Sequence, residues 1–236
     1  MRPFEPELIP QYMAEIIPYL SVTLGVTVSV IFFGSLLGAL LAWGKISGGR
    51  LALSLATAYT YILRCTPSIV LLFLVFYGLP KLFLEVFDYD INDLSRAVFV
   101  VISFTLLYAA SSSEVMRAAY LSVDHGQYEA AVSIGLTPFT ALRRIVLPQA
   151  AVVALPNFGN SVLNLMKEGS LAYTIGLIDL LGEGNLIVAR QYGGSALEVY
   201  IAEGLIYLGL ALFITKSFLK LEQKLSPHKK LERMQN

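Results

Sequence analysis

One apolar stretch of this chain carries side chains that can bind a small charged molecule. Asn157, Asn160 and Asn164 share roughly one face of the segment 145–166, and Glu168 follows one turn later. Amides supply both donors and acceptors, and a carboxylate in a low-dielectric cavity attracts an ammonium group far more strongly than in water. Such a face can receive the ammonium end of an α-amino acid or a basic side chain, beside the polar break at Gly169 and Ser170. Interhelical hydrogen bonding accounts for the asparagines equally well, and Lys167 is placed to neutralise Glu168. Other polar residues suit simpler roles. Glu114 and Arg117 have the spacing of a helical ion pair. Arg64, just before Pro67, is costly in lipid unless it reaches an interface, a gate or a neighbouring subunit. His125 and His228 are too isolated for metal binding or base catalysis, and the lone Cys65 cannot form an internal disulfide and suits a small buried position. No metal site and no catalytic constellation is expected.

The elements that position these residues are membrane helices. The chain has 236 residues, of which 56% are hydrophobic and only 14% charged, and its mean hydropathy is +0.67. A soluble domain carries about 25% charged residues. Formal net charge is zero, which gives no reason to expect a nucleic-acid partner. A spanning helix needs about 20 apolar residues, and five segments qualify: 18–43, 66–84, 97–113, 145–166 and 199–218, the last interrupted by Glu203. The first is too long for a signal peptide, and acidic residues precede it. Residues 51–65 read as an inner or interfacial helix, and 171–181, followed by Glu183, as re-entrant or interfacial. Lys45, Arg50, Arg117, Arg143, Arg144 and the basic tail fall in alternate loops, while 80–93 and the N-terminus are acidic. Positive residues stay in the cytoplasm, so the N-terminus is expected outside and the C-terminus in the cytoplasm.

One inward loop has a pattern of its own. "EAAVSIGLTPFTALRRIVLP", residues 129–148, begins as a small-residue helix. It stops at Gly135, the residue best suited to a left-handed helix end. Thr137 then fits an N-cap and Pro138 the first helical position. Local pattern leaves two readings open, a projecting helix-turn-helix finger or a solvated loop with two helical turns.

The spacing Glu-Ala-Ala, three residues, Gly, nine residues, Ile, one residue, Leu-Pro resembles the EAA signature of permease subunits of bacterial ABC importers. The stretches "GQYEAA", "LPQAAVVALPNFGNS", "KEGSLAYTIG" and "RCTPSIVLLFLVFYGLP" are similar to the polar amino acid branch, and the likeness runs over 18–225. It implies an all-α integral membrane protein of the type I (MetI-like) importer permease fold, one transmembrane domain over residues 1–236. Within it, 124–148 is the cytoplasmic coupling segment. Glu129, Ala130, Ala131, Gly135, Arg143 and Arg144 would dock on a cytoplasmic ATPase dimer and transmit its closure as a lever. Asn160, Asn164, Glu168, Ser170 and Ser112 are the substrate-path candidates, and Arg64, Pro67, Glu114 and Arg117 the structural or gating ones. The chain has no GxxxxGK[ST] phosphate loop, so ATP and Mg belong to the partner and no cofactor is expected here.

Further implied partners are a second permease copy or similar chain, an extracellular amino acid-binding protein and membrane lipid. Cystine, glutamine or a basic amino acid all fit as cargo. The family's Arg-Gly-Thr-Pro reads Arg64-Cys65-Thr66-Pro67, its following glutamine is Leu71, its Lys-Asp-Thr-Ser-Leu reads Lys167-Glu168-Gly169-Ser170-Leu171, and a tyrosine is Ser111. These departures bear on cargo rather than class. The rival readings are a secondary transporter, which would show paired repeats, a membrane-embedded protease, which would show converging catalytic residues, and a non-transport assembly subunit.

Overall fold

A computed structural model describes residues 3–225 of the chain. His228, Lys229, Lys230 and Arg233 lie outside the described residues. Among the described residues all regular structure is helical. The α-helices are α1 (Ile9–Ile16), α2 (Leu20–Ser47), α3 (Arg50–Cys65), α4 (Ser68–Phe73), α5 (Leu79–Phe87) and α6 (Arg96–Leu121). After them come α7 (His125–Ser133), α8 (Pro138–Ala141), α9 (Leu147–Gly169), α10 (Leu180–Arg190) and α11 (Ala196–Leu225). Single turns of π-helix join α4 to α5 over Leu74–Gly78 and α8 to α9 over Leu142–Val146.

Five continuous helical stretches are long and apolar enough to cross a membrane, as expected: Pro6–Ser47, Ser68–Phe87, Arg96–Leu121, Pro138–Ile175 and Ala196–Leu225. All five run past the expected bounds, the first and the fourth furthest. Pro18 sits in the first turn of a 3-10 segment, Ile17–Tyr19, where no backbone N–H is needed, so the helical run begins well before it. Pro156 lies inside α9 without ending it. Thr66 does end α3: it is extended at φ −89° and ψ 126°, the conformation forced on a residue before proline. α3 thus stays separate from the span that follows.

Small residues bring the spans together. α2 lies along α6, where Gly34 and Gly38 meet Tyr108 and Ser112. A Cβ on Gly34 would stand 2.7 Å from a Tyr108 ring carbon, and one on Gly38 would overlap the Ser112 hydroxyl. Glycines four apart let two backbones approach in lipid, where close packing rather than water exclusion drives association. The main core forms around this seam, with Val30, Leu72, Phe99, Phe104, Tyr108 and Leu165. A second core joins α1, α10 and α11 through Tyr12, Ile16, Leu180, Ile187, Val199 and Ile206.

Candidate functional site

α6 and α9 enclose a cavity of about 140 Å³ lined by Phe104, Leu107, Tyr108, Ser111, Ser161, Asn164, Leu165 and Glu168. Half its wall is therefore polar. Asn164 and Glu168 lie one helical turn apart on α9 and are exposed, as are Asn157 and Asn160. Among the described residues Glu168 has no ion-pair partner, Lys167 included. A carboxylate, an amide and two hydroxyls around a space of this size are complementary to an ammonium group carrying polar substituents.

Other expected path residues lie elsewhere. Asn160 opens on a separate cavity of about 150 Å³ between α9 and α11, with Pro156, Thr215, Phe218 and Glu222. Ser170 donates to the Lys167 carbonyl at 2.6 Å, a local contact at the end of α9. Ser112 is a correction. It is fully buried in the α2–α6 seam, its hydroxyl 3.3 Å from the Gly34 carbonyl, and its neighbour Ser111 lines the cavity instead. One residue turns a helix by about 100°, which suffices to exchange the two faces. Arg64 and Cys65 are exposed at the end of α3, and Pro67 is exposed at the start of α4. The expectation that Cys65 is buried is therefore wrong, because the proline break leaves that helix end uncovered.

Glu114 and Arg117 pair at 3.0 Å, and a third charge joins them. Lys45, assigned from sequence to a loop, lies inside α2 with its side chain only 2% exposed and its ammonium 2.6 Å from Glu114. It also donates to Thr60 at 3.0 Å and Ser113 at 3.3 Å, so α2, α3 and α6 meet at one ammonium group. No sequence-local signal links residues so far apart.

Residues 124–148 form the helix–elbow–helix finger. Asp124 caps α7 by accepting from Gly126 N at 2.7 Å. Gly135 is left-handed at φ +92°, with Gly135 N donating to Val132 O at 2.9 Å and Leu136 N to Ala131 O at 3.2 Å. These two bonds are the Schellman helix ending. The Thr137 hydroxyl then accepts from Thr140 N at 3.3 Å to cap α8. Ala131 is buried, whereas Glu129, Ala130, Arg143 and Arg144 are exposed, and Glu129 lies 3.0 Å from His125. Ile134 and Phe139 project 81% and 70% exposed from the two arms of the elbow.

Sequence reasoning missed a group of four buried carboxylates: Asp179, Glu183, Glu198 and Glu203 are each at most 4% exposed. The signals were Glu203 interrupting an apolar span and the acids Asp179 and Glu183 in and just after the apolar stretch 171–181.

The pattern of spans with a projecting finger has a counterpart in known proteins. A family model described as "Binding-protein-dependent transport system inner membrane component" matches residues 9–226. The chain belongs to that family. This permease is 38% identical over 224 residues to the L-cystine transport system permease protein TcyL of Bacillus subtilis, covering 95% of this chain and 92% of that one. It is 33% identical to the nopaline transport system permease protein NocM of Agrobacterium fabrum, covering 92% of each. Among solved structures, a crystal structure of an amino acid ABC transporter with histidines superposes with a TM-score of 0.79 at 29% identity, over 93% of this chain and 98% of that one. The inward-facing MetNI methionine ABC transporter superposes at 0.66 with 18% identity, over 89% and 94%, a likeness of fold. The permease is a multi-pass inner-membrane protein of the MetI-like fold. It is a transport subunit rather than an enzyme, ATP hydrolysis being the task of a separate chain.

Proposed function

We propose that this permease imports a polar amino acid, and that Glu168 receives the cargo's ammonium end or a basic side chain. The supporting observation is the α6–α9 cavity, in which Glu168 has no internal counter-ion and Asn164, Ser111 and Ser161 surround it. Relatives named for cystine, nopaline and arginine transport support an amino acid cargo. The asparagine and Glu168 face is exposed in the single chain, as a pathway enclosed by two permease copies requires. A binding protein delivers cargo at the end bearing the N-terminus, placed outside because Lys45, Arg50, Arg117, Arg143 and Arg144 collect at the other end.

The finger at that cytoplasmic end couples transport to an ATPase dimer, which holds the ATP and Mg. Exposed apolar side chains on a rigid projection mark a protein contact, and Ile134 and Phe139 provide it. The Schellman elbow and the continuous helical run from Pro138 into α9 make the finger a lever. Closure of the ATPases would therefore turn the helix that carries Asn164 and Glu168, alternating the pathway between its two openings.

Glu168→Gln tests the cargo assignment, since it preserves shape and hydrogen bonding while removing the charge. Uptake into reconstituted vesicles should fall steeply while melting temperature and basal ATPase of the complex stay normal. Normal uptake, or uptake lost only because the complex falls apart, would leave Glu168 a structural residue.

A further inference from the structure

Beyond the α6–α9 cavity, one hydrogen bond ties the start of α6 to the segment that ends α9. On α6 the cavity begins at Phe104, and Arg96, the first residue of that helix, stands eight positions before it. At 1.5 Å per residue that is about 12 Å along the helix. On α9 the cavity ends at Glu168, after which the chain tightens into a 3-10 turn, Ser170–Ile175, and reaches Gly176. Six residues at about 2 Å each give the same rise of about 12 Å. The two antiparallel segments therefore meet at one level, where Arg96 Nη1 donates to the Gly176 carbonyl at 3.0 Å.

The contact is specified from both sides. Gly176 is left-handed at φ +81°. Its N–H donates to the Tyr173 carbonyl at 2.8 Å, and Leu177 N donates to the Ala172 carbonyl at 3.2 Å, which closes the turn. A Cβ at Gly176 would stand 3.2 Å from the guanidinium carbon of Arg96 and from Nη1. Glycine is thus required twice, by its own backbone and by the guanidinium lying against it. Arg96 occupies the first turn of a helix, where the dipole disfavours a cation. Ser95 already caps that helix, its hydroxyl accepting from Ala97 N at 3.3 Å. The compensation lies across the gap, because carbonyls at the end of a helical turn have no partner within it.

Between this latch and the cavity the two segments pack dry. Phe99, Val100 and Phe104 of α6 share a core with Leu171, Ala172 and Ile175 of the turn. The turn cannot shift without carrying the end of α9 with it, and Glu168 lies two residues before Ser170. We infer that Arg96 is a positioning residue for the cargo site. Its hold on Gly176 fixes the turn that ends α9, and so fixes where Glu168 faces the α6 wall of Phe104, Leu107 and Ser111. The inference rests on the reading of Glu168 as the group that receives cargo. Arg96 itself, exposed and about 12 Å along α6 from the cavity, touches no cargo. A misplacement of about 1 Å imposed from a distance can cost a preorganised site about a hundredfold. Weakened binding, rather than unfolding, is the expected sign of a broken latch.

The test uses the full permease–ATPase complex in detergent, with each common amino acid and L-cystine added in turn at millimolar concentration. A ligand that binds the folded state raises its melting temperature. The amino acids that do so in the wild type should do so far less in Arg96→Ala, with a dissociation constant raised about ten- to a hundredfold. Without ligand, the melting temperature of Arg96→Ala should fall by only a few degrees, as for the loss of one exposed hydrogen bond. Arg96→Lys keeps a donor and should restore part of the binding. Gly176→Ala, whose Cβ crowds the guanidinium, should weaken binding although Arg96 is intact. In a Glu168→Gln background Arg96→Ala should weaken binding no further, because it acts through Glu168. A full ligand response in Arg96→Ala, or additive losses in the double variant, overturns the inference and leaves the cargo role of Glu168 standing. A response that survives Glu168→Gln overturns that cargo role, and the inference with it. A wild type that responds to none of the amino acids overturns both.

Discussion

Replacing Glu114 with alanine should destabilise this permease far more than replacing the lysine it binds. Lys45 keeps its ammonium in a space where the side chain is 2% exposed, and Glu114 at 2.6 Å is its only negative partner among the described residues. Without Glu114 the ammonium retains only the Thr60 and Ser113 hydroxyls. Removing one member of a buried pair in this way costs about 3–5 kcal/mol, a large share of the roughly 5–15 kcal/mol that holds a typical domain together. Lys45→Met leaves a different remainder. Glu114 is 27% exposed and keeps Arg117 at 3.0 Å, so the loss should be about 1–2 kcal/mol, near the lower end for an imperfectly satisfied buried polar group. The double variant Lys45→Met with Glu114→Ala leaves no uncompensated buried charge and should recover much of the Glu114→Ala loss, with a coupling energy of roughly 1–3 kcal/mol. Equilibrium unfolding of the four proteins in mixed SDS micelles measures these differences. A Glu114→Ala loss no larger than that of Lys45→Met would refute the reasoning, because it would mean water or lipid headgroups reach the ammonium freely.

Two other outcomes follow from the finger and the loops. Gly135 has open space around its Cα and φ of +92°, so Gly135→Val carries a backbone cost of about 1–2 kcal/mol without a clash; cargo-stimulated ATPase and vesicle uptake should fall together while membrane insertion is normal, and Gly135→Asn should be milder. Unchanged uptake in Gly135→Val would rule out the lever. A reporter inserted near Asp90 should read extracellular and one fused after Asn236 cytoplasmic, and both on one side would eliminate the proposed orientation.

The features legible in advance are those set by residues close in the chain. Uncharged runs long enough to span lipid marked the five crossings, since the bilayer fixes their length independently of packing. The elbow was legible because Gly135, Thr137 and Pro138 act on their own backbone through left-handed φ, capping and a missing N–H. Helical spacing likewise placed Asn164 and Glu168 on one face of α9. Tertiary structure decided which faces meet. Ser111 and Ser112 are adjacent, yet the approach of Gly34 and Gly38 buries one and leaves the other at the cavity. Lys45 reads as an ordinary loop-flanking cation until α2 and α6 lie side by side and bring Glu114 to it. Glu203 reads as a lone acid in an apolar span until α11 packs on α10 and sets its carboxylate against Gly184. Composition and local conformation are properties of short stretches and survive in the sequence. A contact between helices depends on rotation and depth, which are set by how all the small and large side chains of the bundle fit at once.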